Sequence, residues 1–177
     1  TPLNAALQLL AQMNAPVIAQ VHGAAAGAGL SLVLMADYVI AAEGTRFNLA
    51  YINLGTSCDV GASWALPRIV GVRKALEIAL LSEAFTADDA LRLGLINRIV
   101  PAVELDSATT TLAQRLAAGP TVAYGAMKRL MRASMDRTLP EQLAAEKDAF
   151  VHCAGTEDFR AGVEAFHQRQ SPQFVGR

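Results

Sequence analysis

Three groups of residues in this chain are of a type and spacing that could do chemistry. The first is a glycine-rich turn, Gly23-Ala-Ala-Ala-Gly27-Ala-Gly29, set between an apolar run (Val17, Ile18, Val21) and an apolar helical run from Leu30 to Ala36. Glycine permits a positive φ or a close backbone approach. The first amides of the following helix have no partner within it and lie at the positive end of its dipole. They can hold an anion, or a carbonyl oxygen that is becoming one. The second group centres on Asp59, in a stretch of glycines and small polar residues over 50–63. Its carboxylate fits two tasks: moving a proton, or capping the helical segment that begins at Gly61. The third is Tyr124 with Lys128, where a lysine could lower a tyrosine pKa for acid/base work. The plainer alternative is two side chains on one helix face. Cys58 has no histidine nearby in sequence to activate it, and reads as a small pocket or core residue.

The elements that must position these groups follow from periodicity. Apolar residues at 3, 6, 7, 10 and 13 predict a helix, ended by Asn14-Ala15-Pro16. A strand over 17–21, the glycine turn and its helix, and a second buried strand over 37–42 make a βαβ unit, hence a parallel pair. Glu43-Gly44-Thr45 is a turn, residues 46–49 are extended, and 50–63 read as a loop. Residues 64–70 predict a short helix with Pro67 near its start, and 72–81 the next. Thr86 with Asp89 forms a variant of the capping box, Gly94 follows the C-cap, and 95–100 is a strand stopped by Pro101. Behind it come helices over roughly 104–118, 121–135, 140–153 and 156–170. The fold class is therefore α/β in front and all-α behind, with expected regions 1–102 and 103–177.

The totals exclude several classes. A chain of 177 residues can bury a sizeable core. Its net charge of −1 leaves neither a nucleic-acid nor a membrane-surface footprint. Mean hydropathy is +0.29, yet no apolar stretch of transmembrane length escapes a charge or a helix breaker. Cys58 and Cys153 form no framework, so reduced thiols and a cytoplasmic setting are expected. His22, His152 and His167 have no ligand spacing, and no metal is proposed. The chain starts at Thr1-Pro2, without Met, and enters an interior-looking segment almost at once, as a fragment or the ordered part of a longer chain would.

Two family resemblances compete for the glycine turn. Its G-x-x-x-G-x-G spacing, with Tyr124-Gly-Ala-Met-Lys128, resembles the short-chain dehydrogenase/reductase family. That family's fold needs a ribose-binding residue near the end of the second strand. Asp37 comes too early and Glu43 is only a fair candidate. The second resemblance runs through far more of the chain. Pro16-Val-Ile-Ala-x-Val-x-Gly23-x-Ala25-x-Gly27-x-Gly29, Ala36-Asp37-Tyr-Val-Ile-Ala-Ala42, Leu66-Pro67-Arg68-Ile69-Val70-Gly71 and Thr86-Ala87-x-x-Ala90-x-x-x-Gly94-Leu95-Ile96 resemble the crotonase, or enoyl-CoA hydratase/isomerase, superfamily. So does the tail Phe159-Arg160-x-Gly162-Val-x-Ala165-Phe166. The resemblance implies a partial ββα spiral core followed by a helical C-terminal region. Family members extend further at the N-terminus, where the second oxyanion amide and much of the CoA surface are expected.

The same resemblance implies roles. The amide of Ala28 would hold a thioester oxygen as an enolate forms. The two glutamates of the hydratases align with Ser31 and Tyr51, neither of them a carboxylate. Asp59 stands where the double-bond and ring-epoxide isomerases carry a catalytic aspartate. Ser31, Tyr51, Leu54 and Trp64 would line the substrate pocket, with Leu54, Val60 and Trp64 walling Asp59. Phe150 and Arg169 would touch the adenine or a phosphate of coenzyme A, with Lys128 a weaker phosphate candidate. Coenzyme A enters as part of an acyl-CoA substrate, and no other cofactor is expected. A homotrimer or hexamer, assembled through the helical region, is implied. An aryl-CoA dehalogenase, a hydratase and a silent CoA-binding member are the alternatives within the superfamily.

Overall fold

A computed structural model describes residues 1–177. The chain forms two compact units, residues 1–8 with 17–111, and residues 9–16 with 112–177. Helix α1 (Pro2–Gln12) opens the chain.

The first unit is built on two three-stranded sheets. Strands β1 (Ile18–Val21), β3 (Tyr38–Ala42) and β6 (Arg98–Val100) lie side by side and parallel, with Ile18 opposite Tyr38 and Ile40 opposite Arg98. The β1–β3 pair is the one expected from the βαβ pattern, since parallel neighbours need a crossover. The second sheet joins β2 (Ala24–Ala26), β4 (Arg46–Asn48) and β5 (Phe85–Thr86). β2 and β4 are parallel, β4 and β5 antiparallel. Helix α2 (Ala28–Met35) buries Leu30, Val33 and Leu34 against Val39, Phe47, Ala65 and Leu66. Phe47 is 0% exposed and stacks on Phe85 at 5.8 Å.

Three sequence expectations need correction here. The glycine turn is not all turn, because Ala24–Ala26 pairs with β4. Alanine has little strand preference, so only the distant partner selects that state. Helix α3 (Ala62–Val70) starts earlier than expected and holds Pro67 in its interior rather than near its start. The last strand is also shorter than 95–100. Leu95 and Ile96 are buried in the core, and the Asn97 side chain accepts from the Val39 amide at 2.8 Å. Helix α4 (Val72–Leu81) and helix α5 (Ala87–Arg92) follow as expected. The capping box on α5 is present, with Asp89 N–H donating to Thr86 Oγ1 at 3.1 Å and Asp89 Oδ2 accepting from Thr86 N–H at 3.1 Å.

Helix α6 (Leu105–Ala117) leads into the second unit, which holds α7 (Thr121–Ala133), α8 (Leu139–Ala154) and α9 (Glu157–Gln168). Gly125 on α7 packs against Asn14 so closely that a Cβ would lie 2.6 Å from the Asn14 Cα. Thr138 and Glu141 box the start of α8, and Thr156 caps α9. No helix is long and apolar enough to cross a membrane.

Candidate active site

The glycine turn delivers an open helix terminus. Gly27 has φ +52° and ψ −123°, a conformation that side-chain-bearing residues rarely adopt. Its N–H donates to the Asn48 carbonyl at 3.0 Å, tying the turn to the end of β4. Ala28 is the first residue of α2 and is exposed. Its amide therefore has no acceptor inside the helix and stands at the positive end of the dipole. The carbonyl of the same peptide group, Gly27 O, accepts from Ser31 N–H at 3.0 Å and from Ser31 Oγ at 3.2 Å.

The loop after β4 brings two more functional groups to that terminus. Asn48 Oδ1 accepts from the Ala50 amide at 2.8 Å, and holds Ala50 in the left-handed region at φ +58°. Asn48 is itself anchored to Ser82, through Nδ2 to the carbonyl and from Ser82 Oγ, each at 2.9 Å. A 3-10 turn, Tyr51–Leu54, starts from this platform. Its first residue points the phenol back at α2, where Tyr51 Oη lies 3.0 Å from Ser31 Oγ. The same hydroxyl donates to Asp59 Oδ1. Asp59, Tyr51, Ser31 and Gly27 thus form one hydrogen-bonded row. It runs from an exposed carboxylate to a serine that is 0% exposed, and ends on the peptide that carries the Ala28 amide.

Asp59 does not cap α3. Gly61, with φ +81°, occupies the N-cap position without a side-chain bond, and Asp59 contributes only its backbone carbonyl, to the Ala62 amide at 3.1 Å. Between them Val60 is buried at φ +55°. A β-branched residue in the left-handed region is costly. Partial burial, and then the bond to Asp59, raise the Tyr51 phenol above its ordinary range. Tyr51 is accordingly a neutral donor near pH 7 and no general base.

The whole chain, residues 1–177, matches the enoyl-CoA hydratase/isomerase family. The chain belongs to that family. It is 42% identical to a probable enoyl-CoA hydratase of Rhodobacter capsulatus, over 97% of this chain and 66% of the relative. It is 38% identical to the 1,2-epoxyphenylacetyl-CoA isomerase of Escherichia coli, over 98% of this chain and 66% of that one. Among solved structures, an enoyl-CoA hydratase from Polaromonas sp. JS666 superposes with a TM-score of 0.92 at 35% identity, covering 98% of this chain and 67% of the other. The chain thus spans 66% of the length of these two curated relatives.

Membership in the enoyl-CoA hydratase/isomerase family removes the dehydrogenase alternative, and the structure gives the physical reasons. Asp37 is occupied in holding the Val17 amide at 2.8 Å, so it does not offer a ribose contact. Lys128 Nζ donates to the Ala15 carbonyl at 2.8 Å, which ties α7 to the segment before β1. The residues expected to wall Asp59 differ in their exposure. Leu54 is 83% exposed, Val60 turns inward, and Trp64 stacks under the Arg68 guanidinium at 4.3 Å. Cys58 packs against the core. Phe150 and Arg169 belong to the second unit, and both are exposed. Phe150 meets Phe159 edge-on at 6.2 Å, and Arg169 ends α9 at φ +55°. The resemblance implied one site for Ser31, Tyr51 and Asp59, and the hydrogen bonds that join them could not be read from the sequence. The i to i+4 spacing of Gly27 and Ser31 signalled only the bond between those two.

Proposed function

We propose that the protein is an acyl-CoA enzyme that moves a double bond, or opens and rearranges a ring epoxide, in an enoyl-CoA thioester, with Asp59 as its single acid/base. The observation that carries this reading is the placement of the Asp59 carboxylate. It is withheld from capping α3 and held by Tyr51 on a row that leads to the Ala28 peptide. In the double-bond shift, Asp59 takes a proton from the carbon beside the thioester carbonyl. The bonding pair left behind delocalises onto the thioester oxygen, which the Ala28 amide and the α2 terminus stabilise. The proton then returns to a carbon further along the chain. One carboxylate suffices, because the proton taken is the proton given back.

The similarity to an epoxyphenylacetyl-CoA isomerase supports the same reading. Hydration, which the printed names of other relatives suggest, lacks its two glutamates here, since Ser31 and Tyr51 fill those positions. Leu54 and Trp64 are proposed to meet the acyl group. Phe150 and Arg169 are proposed to meet the adenine and a phosphate, an aromatic face and a guanidinium being suited to each. Residues 1–102 act as part of the spiral core, and 103–177 as the assembly region of a homotrimer or hexamer working in the cytoplasm.

Asp59→Asn in the intact protein tests the reading. We expect isomerisation of a 3-enoyl-CoA and exchange of its acidic proton with solvent to fall by about 10²-fold or more. Unchanged rates of both would overturn the Asp59 mechanism. Hydration of a 2-enoyl-CoA that survives in the variant would point to a different base.

A further inference from the structure

The row of hydroxyls ends on a peptide group whose other end is the proposed oxyanion donor. Gly27 C=O and Ala28 N–H are two ends of one amide. A hydrogen bond accepted by the oxygen withdraws electron density from the nitrogen and sharpens its N–H as a donor, the cooperativity of chained hydrogen bonds. A serine bonding back to the carbonyl four residues earlier is common in helices and would by itself mean little. Here the same serine is in contact with Tyr51, and Tyr51 with Asp59.

The protons in the row can be counted. Ser31 and Tyr51 own one hydroxyl proton each. When Asp59 is ionised, the charge-assisted bond to its carboxylate fixes the Tyr51 proton. The phenol oxygen then competes with Gly27 O for the single proton of Ser31. When Asp59 has taken up a proton, that charge is gone. The Tyr51 proton can turn to Ser31 Oγ, and Ser31 has only Gly27 O left to serve. Hydroxyls rotate, and no proton leaves its oxygen.

We propose that Ser31 and Tyr51 are positioning residues that couple the protonation of Asp59 to the donor strength of the Ala28 amide. The coupling has the useful sign. The proton reaches Asp59 in the same event that places negative charge on the thioester oxygen. The amide sharpens as the enolate forms and relaxes when the proton is returned. The inference rests on the Asp59 reading above and adds a way for the two halves of the site to act together.

The test uses Ser31→Ala, Tyr51→Phe and Asp59→Asn in the intact protein, with kinetics and the infrared carbonyl stretch of a bound, isotope-labelled saturated acyl-CoA, which has no double bond to move. Ser31→Ala should lower kcat about tenfold with KM little changed, a fraction of the ~10²–10³ lost when an oxyanion donor is removed outright. It should also shift the carbonyl band up in frequency, because Gly27 O loses the serine bond. Tyr51→Phe should lower kcat comparably and leave the band at the wild-type position or below, because the Ser31 proton then has Gly27 alone. A purely structural role for Ser31 would not move the band, and an unmoved band in Ser31→Ala overturns the coupling. Should that variant fold poorly, wild-type kcat in Tyr51→Phe overturns it as well. If Asp59→Asn keeps full activity, the proposed function fails. If Asp59→Asn is inactive while Ser31→Ala and Tyr51→Phe match wild type, the coupling alone fails.

Discussion

Tyr51 and Asp59 stand eight positions apart in a loop rich in small residues, and the phenol of the first is hydrogen-bonded to the carboxylate of the second. The bond joins the first residue of the Tyr51–Leu54 3-10 turn to a residue in the irregular stretch before α3. The Asn48–Ser82 pair holds one end of that loop and the start of α3 holds the other. This relationship turns an exposed acid into an oriented one.

Tyr51 should titrate late. Its phenol is raised above the ordinary tyrosine range, first by burial and then by the bond to Asp59. A group whose folded pKa is raised contributes stability that is fully present below its unfolded value and is lost as pH rises through the folded one. The absorbance change of phenolate formation, taken as wild type minus Tyr51→Phe, should therefore appear above about pH 10. The stability difference between the two proteins should hold constant through neutral pH and shrink only in that alkaline window. A difference signal that titrates at or below the ordinary tyrosine value would contradict the burial and bonding described for Tyr51.

Gly61→Ala should disturb both the fold and Asp59. An added Cβ would lie 2.9 Å from Met35 Sδ, on a backbone with φ +81°. The sulfur is part of a flexible side chain and can yield, but the left-handed conformation still penalises alanine. We expect a loss of about 1–3 kcal/mol in a denaturant titration, together with a lower kcat as the loop before α3 shifts. Adding Met35→Ala should not restore the wild-type rate, since it removes the crowding and not the backbone penalty. Full recovery would assign the effect to packing alone.

Much of this architecture was legible in the chain, and the limits were physical. Periodicity and caps located the helices well, because α5 and α9 begin at Thr86 and Thr156, whose hydroxyls accept from Asp89 and Phe159 amides only three residues away. The parallel β1–β3 pair followed from a short crossover. What could not be read depends on distant partners. Ala24–Ala26 is a strand only because β4 lies beside it. Asp59 had two equal readings, cap or acid, and the structure removes the cap because Gly61 takes that position. Ser31 and Tyr51 were visible as missing carboxylates. Their meeting requires the Ala50 turn, which depends on Asn48 and Ser82, thirty-four residues apart.

The capping box on α5 gives an acid-side prediction. The Asp89 carboxyl is held below its ordinary value, first by the Thr86 amide and then by the Thr86 hydroxyl at 2.8 Å. A depressed folded pKa contributes stability that is present above the unfolded value and lost as pH falls through the folded one. Asp89→Asn should therefore melt below wild type at about pH 7, keep that gap down to about pH 4, and converge on wild type in stronger acid. Thermal melts across that range check it. A gap that persists unchanged in strong acid would mean that the charge of Asp89 does not support the box.

Asp158 should govern the last residues of the chain. It is 3% exposed, and its carboxylate accepts from the Val175 amide at 2.7 Å and the Gly176 amide at 3.0 Å. Its own amide donates to the Arg177 carbonyl at 3.1 Å, and Phe174 packs over Gly162 of α9. Each bond to a charged acceptor is worth roughly 1.5–3 kcal/mol, but residues 171–177 belong to no helix or strand. Asp158→Ala should thus release the tail with little loss of global stability. Hydrogen exchange at Val175 and Gly176 reads this directly. Protection should fall in the order wild type, Asp158→Asn, Asp158→Ala, because asparagine keeps one acceptor oxygen and alanine none. Equal protection in all three would show that the packing of Phe174, and not the carboxylate, fixes the tail.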